Sequence, residues 1–196
     1  MKNKKRVKYI ILILFAVIQI FPLLWLINFS LKGNNEIYTE SSLKLPEIPK
    51  FSNYVEAWIT GNVAEYFINS VIVTFTSVLI TIVISCMMAY GITRMKWKGS
   101  NLVLSFLMLG MMIPIHATLI PLFLLMQKVG FLNTYWCIII PYIATGLPLA
   151  VFIISNFLRS VPYELEEAAY MDGCGVIRCF LLIITPVLKP AVATVA

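Results

Sequence analysis

Ten residues, ELEEAAYMDG at positions 164–173, hold four carboxylates in a 196-residue chain that is 12% charged and 60% hydrophobic. Nothing around them suits catalysis. The chain has no G-x-x-x-x-G-K-[ST] phosphate loop, no paired carboxylates placed for acid–base work and no nucleophile constellation, so it is not expected to be an enzyme or to need a cofactor. Cys86, Cys137, Cys174 and Cys179 form no CxxC or Cys/His pattern, and His116 is the single histidine, so no metal site is expected. What the segment can do is bind. Pro162 suits a first helical position, and Glu164, Glu166 and Glu167 complement the positive end of a helix dipole. Asp172 and Gly173 end that helix, because glycine takes a left-handed cap conformation at little cost. A helix of about ten residues is too short to persist alone in water, and this one is too polar to enter lipid. Either its glutamates only offset the dipole, or another protein packs on it, against the shallow surface of Ala168 and Ala169 with Leu165 and Met171 as apolar anchors.

The elements that must hold this helix are membrane spans. A mean hydropathy of +0.90 lies well outside the range of soluble domains. Four segments, about 9–31, 67–93, 102–126 and 136–158, meet the requirement of about 20 apolar residues for a ~30 Å hydrocarbon core. A fifth apolar stretch, 187–196, begins after Pro186. The whole reads as one transmembrane domain, 1–196, with an outer loop at 32–66 and the acidic helix inside a cytoplasmic segment at 160–186. The first span follows the basic MKNKKRVK and has no A-x-A-like cleavage site, so it is expected to be an uncleaved anchor.

Orientation follows from Lys and Arg, which are retained on the cytoplasmic side. With the N-terminus inside, eleven fall there: Lys2, Lys4, Lys5, Arg6, Lys8, Arg94, Lys96, Lys98, Arg159, Arg178 and Lys189. Four fall outside, Lys32, Lys44, Lys50 and Lys128, where the outer loop also carries Glu36, Glu40, Glu47, Glu56 and Glu65. The net charge of +6 is therefore topology, and no nucleic-acid partner is expected. Cys174 and Cys179 would lie in the reducing cytoplasm.

Several residues within the spans could line a path. The third contains Pro114, His116 and Pro121, and the fourth Pro141, Gly146 and Pro148. Proline frees a carbonyl that must find another partner in lipid, and broken helices of this kind surround transporter sites. Pro114, His116 and Gly146 are the candidate pathway residues, with the alternative that His116 only satisfies a carbonyl freed near Pro114. Gln19 and Asn28 are expected to bridge helices, and a short amphipathic helix near 52–60 to lie along the outer surface.

The acidic segment also carries a resemblance. Glu167-Ala168-Ala169, then Gly173, Ile183 and Pro186, is similar to the EAA loop of ABC importer permeases, E-A-A-x3-G-x9-I-x-L-P. Thr185 departs from it, standing where the family has a leucine buried against the next helix. INSVIVTFTSVLITIVISCMMAYGITRMKWKG, MMIPIHATLIPLFLLMQKVGFLNTYW and FLRSVPYELEEAAYMDG resemble the carbohydrate branch, the maltose-system type.

The resemblance implies an all-α polytopic transmembrane helical bundle of the type I importer kind in a prokaryotic cell membrane. It implies a permease subunit for a sugar or oligosaccharide whose ATP is hydrolysed by separate cytoplasmic ATP-binding subunits. Partners would be those ATPases, a second related permease, an extracellular solute-binding protein, the carbohydrate and membrane lipid. ATPase docking carries over to Glu167, Ala168, Ala169 and Gly173, with Asp172 a further contact. Six spans are usual in the family, so this chain is expected to be C-terminally incomplete, lacking most of the fifth and all of the sixth. The alternatives are a permease for an amino acid or osmolyte, or a truncated membrane remnant that does not transport.

Overall fold

A computed structural model describes residues 2–39, 41–95 and 97–196, without the side chains of residues 2–4 and Thr39. Glu40, Lys96 and the side chains of Lys2 and Lys4, all counted in the charge pattern, lie outside the described residues. No strand occurs among the described residues. By packing the chain falls into two compact units, Met1–Phe67 and Ile68–Ala196, taken here in turn.

The first unit begins with α1 (Lys2–Ser30), whose apolar stretch Lys5–Ser30 has a mean hydropathy of 2.9 and buries nothing within the chain. Charge and proline then halt regular structure. The segment that follows is nonetheless ordered, because its polar groups are paired. α2 (Asn34–Thr39) is short, and the chain returns so that Lys50 N–H donates to the Leu31 carbonyl at 2.8 Å. Asn53, in α3 (Ser52–Ile59), donates from Nδ2 to the carbonyls of Ser30 and Lys32, each at 2.9 Å. Lys32 is 1% exposed and its ammonium donates to the Ser41 carbonyl at 2.9 Å. The amide of Asn28, expected to bridge helices, donates instead to the Lys44 carbonyl in the outer segment, at 3.1 Å. Gln19 is exposed. α3 leaves Phe51, Tyr54, Val55, Trp58 and Ile59 exposed, a composition suited to a bilayer interface.

The second unit continues α4 (Val63–Arg94), the longest helix. The stretch expected as one span over 102–126 is two helices, α5 (Ser100–Gly110) and α6 (Ile115–Val129), bent by 98° at residues 111–114. Pro114 is the cause that sequence makes visible: with no N–H and an extended ψ of 124°, it starts α6 rather than continuing α5. α6 ends at Gly130, φ 81°, with Phe131 N–H on the Met126 carbonyl at 2.9 Å. α7 (Trp136–Ser160) packs against α5 and α6.

Beyond it come α8 (Glu164–Met171), α9 (Val176–Cys179), a π-helical turn at Phe180–Ile184, α10 (Thr185–Val187) and α11 (Lys189–Val195). Val176–Val187 and Lys189–Val195 meet at 70°. Among the described residues three helices are long and apolar enough to cross a bilayer, or up to five if each bent pair counts as one span. The core sits where Ala89 and Tyr90 of α4, Ile154 and Leu158 of α7, Ala169 of α8 and Ile184 and Leu188 beyond it converge.

Candidate functional site

The acidic segment folds as a helix with two unlike faces. α8 starts at Glu164, two residues after Pro162, with Tyr163 as its N-cap; the Tyr163 carbonyl accepts the N–H groups of Glu166 at 2.9 Å and Glu167 at 3.1 Å. At its other end Gly173 has φ 79°. Gly173 N–H reaches the Tyr170 carbonyl at 3.0 Å and Cys174 N–H the Ala169 carbonyl at 2.9 Å, the paired bonds of a Schellman cap. A Cβ at Gly173 would meet nothing within 4 Å, so conformation, and not space, calls for glycine here.

Helical spacing sorts the four acids. Glu164, Glu167, Ala168 and Met171 follow the i, i+3, i+4, i+7 pattern and form an exposed stripe continued by Asp172. Glu166 and Ala169 fall on the opposite face and are 0% and 5% exposed. This corrects the expected surface: Ala169 packs into the core and only Ala168 remains for close approach. Of the five residues expected at a docking surface, Glu167, Ala168, Asp172 and Gly173 are exposed.

Glu166 is the residue the sequence reading missed, together with Arg94. Its Oε1 lies 2.8 Å from Arg94 Nε, a charge contact without the alignment of a hydrogen bond. Tyr90 donates its hydroxyl to Glu166 Oε2 at 3.1 Å and shares a 3.2 Å contact with the Tyr170 hydroxyl. Arg94 Nη2 donates to the carbonyls of Leu158 at 2.9 Å and Val161 at 2.8 Å, satisfying acceptors left over at the C-terminus of α7. The guanidinium carbon also sits 5.5 Å from the centre of the Tyr163 ring, and the Tyr90 ring lies 5.1 Å from Phe180. A buried carboxylate is costly unless paired and hydrogen-bonded, and here it is both. The available signal was chemical: an arginine, whose fork can serve several acceptors at once, stood among lysines at the end of a span.

The pathway candidates are not brought together. Gly146 lines a cavity of about 300 Å³ with Thr74, Ser77, Thr81, Tyr142 and Thr194, and a Cβ on it would stand 3.8 Å from Thr81 Cγ2. His116 and Pro114 are exposed at the start of α6 and do not line that cavity. The His116 ring makes no hydrogen bond among the described residues, so the carbonyl-satisfying alternative is not seen either. No cluster of metal-ligating side chains occurs among the described residues, and all four cysteines are free thiols. Thr185, expected to be buried like the family's leucine, is exposed. The π turn directs both its N–H and its hydroxyl, the latter at 2.8 Å, to the Phe180 carbonyl.

Residues 81–196 match the family described as binding-protein-dependent transport system inner membrane component. The chain belongs to that family. It is 36% identical over 190 residues to the diacetylchitobiose uptake system permease protein NgcG of Streptomyces coelicolor, covering 97% of this chain and 63% of that one. It is 31% identical over 191 residues to the galactooligosaccharides transport system permease protein GanQ of Bacillus subtilis, covering 96% and 67%. Thus the chain spans roughly two thirds of the length of these relatives, which are named as permease proteins of transport systems. In structure it is similar to a chain of a bacterial ABC transporter involved in the import of the acidic polysaccharide alginate. The TM-score is 0.85 at 22% identity, over 99% of this chain and 68% of that chain. The all-α permease fold of the family is therefore its fold, and it is a membrane component.

Proposed function

We propose that this chain is a permease subunit of an ATP-driven importer for a sugar or oligosaccharide, driven by ATPase subunits that dock on α8. The exposed stripe of Glu164, Glu167, Ala168 and Met171, on a short helix whose other face is locked into the core, carries the docking assignment. A helix this short and polar keeps its shape because Glu166 and Ala169 anchor it, leaving the acids free to meet a partner. Those carboxylates favour a basic cleft and would set the orientation and rate of docking more than its raw affinity. Carbohydrate as substrate is supported by the named relatives, which carry diacetylchitobiose and galactooligosaccharides.

In this reading ATP is hydrolysed in the separate subunits, a second permease completes the pathway, and an extracellular binding protein delivers the solute. The N-terminus and α8 share the cytoplasmic side, and Pro114, His116 and Gly146 border the pathway. Uptake of a labelled oligosaccharide by vesicles containing the assembled importer tests the substrate class. Uptake of an amino acid or osmolyte, with none of any sugar, would sink it. Glu167→Lys tests docking: ATPase subunits are expected to be lost on purification while membrane insertion is kept. Their undiminished recovery would refute the assignment.

A further inference from the structure

Docking alone does not move a membrane helix; α8 must also be tied to the spans, and the tie is visible in the buried polar network. Arg94 is the last residue of α4, 10% exposed at its side chain, and it contacts three elements: its own helix, the carbonyls of Leu158 and Val161 at the end of α7, and Glu166 on α8. Tyr90, one turn earlier on α4, adds a second contact to Glu166 and one to Tyr170. Glu166 is fully buried, so any displacement of α8 relative to α4 or α7 would leave a carboxylate and a guanidinium without partners in a site closed to water. Apolar side chains of similar volume could pack α8 down as firmly, but they would tolerate sliding. A charge pair whose remaining bonds are directional tolerates little.

We propose that Arg94 and Glu166, supported by Tyr90 and Tyr170, form a positioning linkage that makes α8 and the inner ends of α4 and α7 move as one body. A push on the exposed stripe is thereby delivered to two spans. The proposal rests on the docking reading for the source of the push, but the linkage itself belongs to this chain. Arg94 and Glu166 are positioning residues: neither lies on the exposed stripe.

Spin labels at Leu165, on α8 but off the docking stripe, and at Arg159 on α7, both exposed, read the linkage in the assembled importer after native cysteines are replaced. The distance between them is expected to be narrow and the same with and without ATP, and Glu166→Gln is expected to broaden it. Transported solute per ATP hydrolysed should fall about tenfold in Glu166→Gln, within the usual range of coupling between sites, while ATPase subunits still co-purify. A merely structural role would lower uptake and hydrolysis together with the amount of assembled protein and leave their ratio intact. Tyr90→Phe keeps the ion pair and the ring contact with Phe180 while removing both hydroxyl contacts, and is expected to give an intermediate width should Glu166→Gln fail to assemble. A distance that shifts on ATP binding in the unsubstituted network, or a Glu166→Gln ratio equal to the parent's, overturns the linkage. Glu167→Lys, scored for ATPase recovery in the same preparations, reports separately on docking: its failure removes that reading and leaves the distances to decide the linkage.

Discussion

At the scale of single residues, the informative contrast is between neighbours of the same type. Glu166 and Glu167 are adjacent and chemically alike, yet one is wholly buried against Arg94 and the other exposed. Glu167→Gln should therefore leave thermal stability nearly unchanged. Arg94→Gln, which strands a buried carboxylate, should cost about 3–5 kcal/mol in detergent-solubilised protein. Equal melting temperatures for the two variants would refute this assignment of faces. Gly173→Ala places a Cβ in the left-handed region with free space around it, so the expected cost is the conformational one, about 1 kcal/mol, measured as a lower melting temperature. Asparagine there should cost less. Glu36, in the outer segment, is the acid whose surroundings favour its charged form. The Gly33 N–H, at 3.0 Å, holds its carboxyl below the ordinary 4.5, with the Glu47 N–H, Lys32 and Lys50 adding to this against some desolvation. A depressed acid contributes at neutral pH and loses its contribution as pH falls through the folded value. Amide protection at Gly33 and Glu47 should thus hold at pH 7 and fade below 4.5. Glu36→Gln should remove that dependence.

At the scale of elements, proline and glycine positions forecast where helices would stop but not by how much they would turn. Pro114 marks the break between α5 and α6, while Pro141 and Pro148 leave α7 continuous. The Thr145 hydroxyl back-bonds to the Pro141 and Tyr142 carbonyls at 3.0 and 3.3 Å, whereas the carbonyls that Pro141 and Pro148 leave without an N–H partner are those one turn earlier, of Cys137 and Ala144. The π turn was not legible at all, since a one-residue change of hydrogen-bond register has no compositional mark. Thr185→Val should test its support. Loss of the hydroxyl bond to Phe180 is expected to cost about 0.5–1.5 kcal/mol, read as a lower unfolding midpoint, with no loss of ATPase recovery.

At the scale of the whole molecule, the distribution of Lys and Arg predicts that α3 and α8 lie on opposite sides of the membrane. In a cysteine-free background, Glu56→Cys on α3 should react with an impermeant maleimide in intact cells, and Arg159→Cys at the end of α7 only after permeabilisation. The reverse pattern would invert the topology. Family membership agrees with the EAA spacing read from residues 167–186, a pattern local enough in sequence to survive without any coordinates.

Sequence by itself determined the class of this protein, its apolar segments, the acidic helix and its glycine stop, because hydropathy, helical dipole complementarity and the φ preference of glycine act over a few neighbouring residues. Only the tertiary structure decided which acid faces inward. Arg94 and Glu166 are 72 positions apart in the chain, and nothing local distinguishes a glutamate that balances a helix dipole from one that answers a buried guanidinium. That choice is made when α4, α7 and α8 pack, since a charge closed off from water must have its partner within reach.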